Sequence, residues 1–71
     1  MIEINEITPF MKKGWVAMNK DGNWCYYVKK PEIFDIMWVR GYGDITPAKS
    51  LSDAFDIAPA DDWTKSLMEI K

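Results

Sequence analysis

The apolar positions of this chain fall into short alternating runs separated by polar breaks, and the clearest is a pair of runs around residues 19–22. Trp15-Val16-Ala17-Met18 is followed by Asn19-Lys20-Asp21-Gly22 and then by Asn23-Trp24-Cys25-Tyr26-Tyr27-Val28. Asn at the first turn position and Gly at the fourth suit a type I turn followed by a left-handed bulge residue, which closes a β-hairpin. That register places Val16, Met18, Trp24, Tyr26 and Val28 on one face, and Trp15, Ala17, Cys25 and Tyr27 on the other. A two-residue Asp-Gly loop would shift the pairing by one and regroup them. Pro31 ends the second run, because proline cannot donate to a ladder. Residues 33–40 read as a third strand beside the hairpin, with Ile36 and Trp38 on one side and Met37 and Val39 on the other, stopped by Gly41-Tyr42-Gly43.

The flanks are less regular. Residues 2–10 alternate only loosely and Thr8-Pro9 interrupts them, so they read as an arm or a short edge strand. From Asp44 the chain is acidic and broken by Pro47 and Pro59, which predicts a loop carrying short elements. Ser50-Leu51-Ser52-Asp53 has the form of a capping box and suggests a single turn. Two readings fit the end of the chain. Asp61 or Asp62 caps a short helix in which Trp63 and Leu67 stand one turn apart, or a turn over residues 61–65 leads into a strand over 67–70. The fold class that follows is α+β, mostly β: a small antiparallel sheet of three to four strands with a short C-terminal helix or turn packed on it. Residues 1–71 make one domain, with an N-terminal arm over 1–13, the sheet over 14–46, and an acidic C-terminal loop and short helix over 47–71.

With 71 residues the chain holds one core, and a composition 48% hydrophobic and 14% aromatic lets it fold without covalent staples. Cys25 is alone and cannot form an intramolecular bridge, which suits a reducing compartment. Histidine is absent, and with it the commonest general base and metal ligand. The expectation is a protein that is not an enzyme and holds neither metal nor cofactor. Asp61 and Asp62 are adjacent, so their carboxylates do not converge for acid/base work and read as helix caps; Cys25 reads as an inert, half-buried thiol. The opening Met-Ile-Glu-Ile-Asn-Glu-Ile is acidic where a signal peptide begins basic, and no apolar stretch approaches the roughly 20 residues that span a bilayer. A cytoplasmic protein with no membrane partner is expected.

A net charge of −2 and a pI near 4.9 weigh against a general nucleic-acid binder. The charge is uneven: from Asp44 onward six acids face three lysines, which leaves the earlier part at +1. Lys12 and Lys13 precede the first strand and Lys29 and Lys30 follow the second, so an antiparallel hairpin gathers them at its open end. There they serve either as solubilising edge charges or as a local field for a phosphate or an acidic partner. The aromatic set Trp15, Trp24, Tyr26, Tyr27, Trp38 and Tyr42 exceeds what one face of a small sheet needs. Core packing accounts for Trp24 and Trp38, while exposed members beside Arg40 would form a protein-binding hot spot or stack nucleobases. Arg40-Gly41-Tyr42-Gly43 lacks the spacing and following helix of a phosphate loop and reads as a turn.

The segment from Gly14 to Trp24 and the segment from Ala54 to Leu67, with its Asp62-Trp63-Thr64-Lys65-Ser66-Leu67 element, resemble small uncharacterised proteins encoded by bacteriophages and prophages. Such proteins look like a Trp-rich β-hairpin with a terminal Asp-Trp-x-x-Ser-Leu element. The resemblance implies a bacterial or infected-cell cytoplasmic setting and carries no activity or site. The expected function is a non-enzymatic phage or mobile-element accessory protein that binds a host or phage macromolecule, foremost a protein, through Lys12, Lys13, Lys29, Lys30, Trp15, Arg40 and Tyr42. Nucleic-acid or nucleotide binding through the lysines and exposed aromatics is the alternative. A homodimer formed through an exposed β edge or face is a variant of the first.

Overall fold

The polar break at residues 19–23 closes a hairpin. In the computed structural model, which describes residues 1–45 and 47–71, β1 (Gly14–Met18) and β2 (Trp24–Tyr27) pair antiparallel, with Trp15 opposite Tyr27 and Met18 opposite Trp24. The Gly22 amide donates to the Asn19 carbonyl at 2.9 Å, and the Asn19 amide donates to the Asn23 carbonyl at 3.0 Å. Gly22 has φ 90°, the left-handed bulge position that favours glycine. The two faces therefore divide as the alternation requires, except that β2 ends at Tyr27 and leaves Val28 beyond it and exposed.

Four strands form the main sheet in the order β5, β2, β1, β6, every neighbouring pair antiparallel. Both edges come from beyond residue 46: β5 is Lys49–Ser50 and β6 is Met68–Ile70. The last third of the chain therefore completes the sheet as well as covering it. Of the two readings of the chain's end, the turn and strand form. Asp62 accepts from the Thr64 amide at 3.0 Å and caps a single 3-10 turn, Trp63–Lys65, in place of a helix. Ser50 does not cap. Its hydroxyl donates to the Asn23 side-chain oxygen at 2.9 Å, and the single turn that follows is closed by the Ala54 and Phe55 amides on the Leu51 carbonyl.

Residues 33–40 do not form one strand beside the hairpin. They fold back on themselves as β3 (Glu32–Phe34) and β4 (Met37–Val39), a separate two-stranded sheet with Ile33 opposite Trp38 and Phe34 opposite Met37. One eight-residue strand and two three-residue strands share the same alternation. What separates them is Asp35, which adopts φ 60° at the turn, a conformation that aspartate tolerates better than most side chains. The places beside β1 and β2 are filled by β6 and β5 instead.

The N-terminal segment is helical rather than an arm or edge strand. α1 (Ile4–Ile7) runs into a 3-10 turn, Thr8–Phe10. The Glu6 carboxylate accepts from the Glu3 amide at 2.7 Å and so satisfies a free donor at the helix start. Pro9 falls in the first positions of the 3-10 turn, where a missing N–H costs little. Ile4 and Ile7, three apart, turn the same face to the core. Only Ile2 keeps strand character, in a single parallel bridge to Ile57.

Both faces of the sheet are covered. Ile4, Val16, Met18, Trp24, Ile57 and Ile70 pack on one side, and Ala17, Cys25, Tyr27 and Trp38 on the other. Ser66, the buried serine of the terminal element, joins the chain's end to β1. Its hydroxyl accepts from the Met18 amide at 2.8 Å and donates to the Trp63 carbonyl at 2.7 Å. The Asp-Trp-x-x-Ser-Leu element is thus a structural latch: Asp62 caps, Trp63 packs on both cores, Ser66 bonds β1 and Leu67 covers the second core. Ser66→Ala leaves the buried Met18 amide without an acceptor and is expected to cost about 1–3 kcal/mol. An unfolding free energy from urea titration that falls by less than that range would show that another group serves the amide.

Candidate binding surface

The hairpin brings the ends of β1 and β2 together and then sends their lysines to different sides. Lys30 places its ammonium 5.8 Å from the centre of the Trp15 ring, a cation–π distance, on the face that carries Tyr27. Lys29 donates its amide to the Asp44 carboxylate at 3.4 Å, and its ammonium lies beside Gly43. Lys12 borders a notch with Tyr26 and Lys49 on the opposite face, and the Lys13 carbonyl accepts from the Tyr26 hydroxyl at 2.8 Å. Lys30 and Lys12 therefore lie on opposite faces of the sheet, and the four lysines do not gather in one cluster. Among the described residues the ion pair is that of the Met1 amino group with Asp56, at 3.8 Å.

The segment after β4 is a turn. The Asp44 amide donates to the Gly41 carbonyl at 3.0 Å, with Gly43 at φ 81° in the third position. Gly41 is buried against the Lys30 carbonyl oxygen, which brings the segments carrying Arg40 and Lys30 together at the base of the β3–β4 pair. Tyr42 stands at the tip, 99% exposed. Lys29, Lys30, Trp15, Arg40 and Tyr42 are thus grouped around the base of the β3–β4 hairpin.

That hairpin carries residues the sequence reading did not single out. Trp38 and its cross-strand neighbour Ile33 share the face toward the body, and Phe34 and Met37 pair on the face away from it. Trp38 is buried and bonded on three sides: its amide donates to the Asn19 side chain at 2.8 Å, its indole N–H donates to the Trp63 carbonyl at 3.1 Å, and its carbonyl accepts from the Tyr27 hydroxyl at 3.4 Å. Pro31, fully buried, and Gly41 hold the two ends of the base. Beyond that anchor Phe34, Ile36 and Met37 are 71%, 59% and 47% exposed. Together they form an exposed apolar patch, a feature that on a monomer commonly marks an interaction site. Ile36 and Met37 also face Asn19, Lys20 and Asp21 across a groove of about 370 Å³. The signal was present in Ile33-Phe34-Asp35-Ile36-Met37: a two-stranded hairpin has two faces, and only one can meet the body.

Neither a family model, a curated protein nor a solved structure matches the chain. The surface must therefore be read from its own chemistry. Cys25 is buried, and burial pushes its thiol up, away from nucleophilic thiolate character. Asp62 is held below the ordinary carboxylate range by the side-chain and backbone hydrogen bonds from Thr64, as its capping role requires. Among the described residues no group of three or more Cys, Asp or Glu is placed to hold a metal ion, and no helix is long and apolar enough to cross a membrane.

Burial, reinforced by Cys25, raises the Tyr27 hydroxyl from 10.0 to about 12. A phenol whose folded pKa exceeds its unfolded one binds its proton more tightly when folded. Stability is accordingly intact below the unfolded value and falls as pH rises from there toward the folded one. Unfolding midpoints should decline over that alkaline window, and Tyr27→Phe should remove this component. An unchanged alkaline decline in the variant would assign it to other groups.

Proposed function

We propose that the protein is a non-enzymatic binding module and that the outward face of the β3–β4 hairpin docks a protein partner. One observation carries this reading: a hairpin too short to be stable alone is locked to the body by Trp38, Pro31 and Gly41, yet presents Phe34, Ile36 and Met37 to solvent. A pre-anchored apolar surface loses little freedom on binding, which is how rigid interfaces gain affinity. Phenylalanine and methionine are enriched at interface centres, and the arginine, tyrosine and lysines around the base suit a polar rim. The resemblance of the Trp-rich hairpin and the terminal element to phage-encoded proteins supports an accessory role in a phage or mobile element, acting on a host or phage macromolecule inside a bacterial cell.

A second reading, nucleotide or nucleic-acid binding, is favoured by Tyr42, fully exposed in the turn that adjoins the Lys29 ammonium. Two variants separate the readings. Phe34→Asp with Met37→Lys should abolish capture of partners from bacterial extract while the Trp24 and Trp38 indole resonances stay in place. Lys29→Glu with Lys30→Glu should leave capture largely intact and insensitive to salt. Binding that instead follows the lysines and falls steeply with salt would replace the protein-docking reading with the nucleic-acid one.

A further inference from the structure

On the other side of the molecule, independent of the hairpin wing, lies a notch of about 190 Å³ bordered by Met11, Lys12, Tyr26, Lys49 and Leu51. We propose that this notch binds a single aromatic ring bearing a phosphate, with the ring against Tyr26 and the phosphate between Lys12 and Lys49. Tyr26 is a fixed floor. Its hydroxyl is committed to the Lys13 carbonyl, and its ring lies over Gly14 so closely that a β-carbon there would meet it at 2.7 Å. Lys49 stands directly opposite Tyr26 across the β2–β5 pairing, so the two side chains rise from the same face of the sheet. Lys12 approaches from the segment after the 3-10 turn, and Met11 and Leu51 supply apolar walls.

Three features select the ligand. Two lysines, Lys12 and Lys49, border the notch, and neither is in an ion pair among the described residues. An anion seated there would meet two cationic side chains, and two match a dianion better than a monoanion. The floor and walls are aromatic and aliphatic, which suits the face of a ring. The volume fits one ring, since a cavity of about 150 Å³ already accommodates benzene; a nucleotide, with sugar and base, is too large to be enclosed. On a chain whose net charge is −2, attraction for such an anion is a local property of this notch.

Phenyl phosphate tests it, titrated into the isotope-labelled protein and followed by amide NMR, with inorganic phosphate and phenol as separate arms. Phenyl phosphate should shift the amides of residues 12, 26 and 49 together, with inorganic phosphate and phenol each about tenfold weaker because each keeps half of the contacts. Lys12→Gln and Lys49→Gln should each weaken phenyl phosphate several-fold while the remaining spectrum is unchanged. Inorganic phosphate binding as tightly as phenyl phosphate, shifts centred on Lys29 and Lys30, or no localised shift at all would each overturn the proposal.

Discussion

Trp38→Ala is expected to detach the β3–β4 wing and remove most of the stability of the domain. The substitution empties a buried indole site in the second core and deletes the bond to the Trp63 carbonyl, which also belongs to the C-terminal latch. Large aromatic truncations of this kind cost about 3–5 kcal/mol, comparable to the whole stability of many domains this small. Loss of the cooperative thermal transition, or a steep fall in its midpoint, is the expected readout by circular dichroism. Trp38→Phe should retain much of the packing but not the indole bond, and should fall between the two. A Trp38→Ala protein melting close to the original would mean that the wing is held by something other than its tryptophan.

Gly41→Ala is expected to act on the same anchor from the opposite end. A β-carbon at this position would strike the Lys30 carbonyl oxygen, and backbone on both sides leaves no flexible atom to move aside. Overpacking of a tight site costs about 1–3 kcal/mol and more where backbone must shift, so at least the upper part of that range is expected. The contrast is Gly22, also a turn glycine, where a β-carbon meets nothing within 4 Å and the objection to alanine is its φ of 90° alone. Gly22→Ala should therefore cost less, about 1 kcal/mol. If the two alanine variants unfold at the same urea concentration, the contact beneath Gly41 is not what closes the base of the wing.

Where local chemistry was strong, the fold was legible. Asn19, Gly22 and the alternation on either side were enough for the hairpin, its bulge turn and its two faces. Trp24 and Trp38 lie in the core as large aromatics of a small domain should. What misled was patterning shared by two structures. The period-two run over residues 33–40 serves one strand or two, and only the backbone of Asp35 decides. At the N-terminus, Ile4 and Ile7 fit a helix as well as a loose strand, and the Glu3–Glu6 bond tips the balance over a distance too short for periodicity to register. The lysine group was legible as an arrangement along the chain but not in space, because Lys30 stands over Trp15 while Lys12 borders the notch beside Tyr26 on the opposite face of the sheet. The outward face of the wing was not legible for a related reason: a single strand over 33–40 puts Ile36 and Met37 on opposite sides, and only the fold-back at Asp35 pairs Phe34 with Met37 on the outer face.

The most direct test of the docking claim is position-specific photocrosslinking. A photoreactive phenylalanine analogue is placed in turn at Phe34 and Met37, at Tyr42 and Lys30, and at Asn5 on the exposed side of α1, and each protein is irradiated in bacterial extract. Discrete protein adducts from positions 34 and 37, weaker ones from 42 and 30, and none from 5 are the expected pattern. Adducts confined to 42 and 30, or equal labelling from all five positions, would contradict the assignment of recognition to the wing.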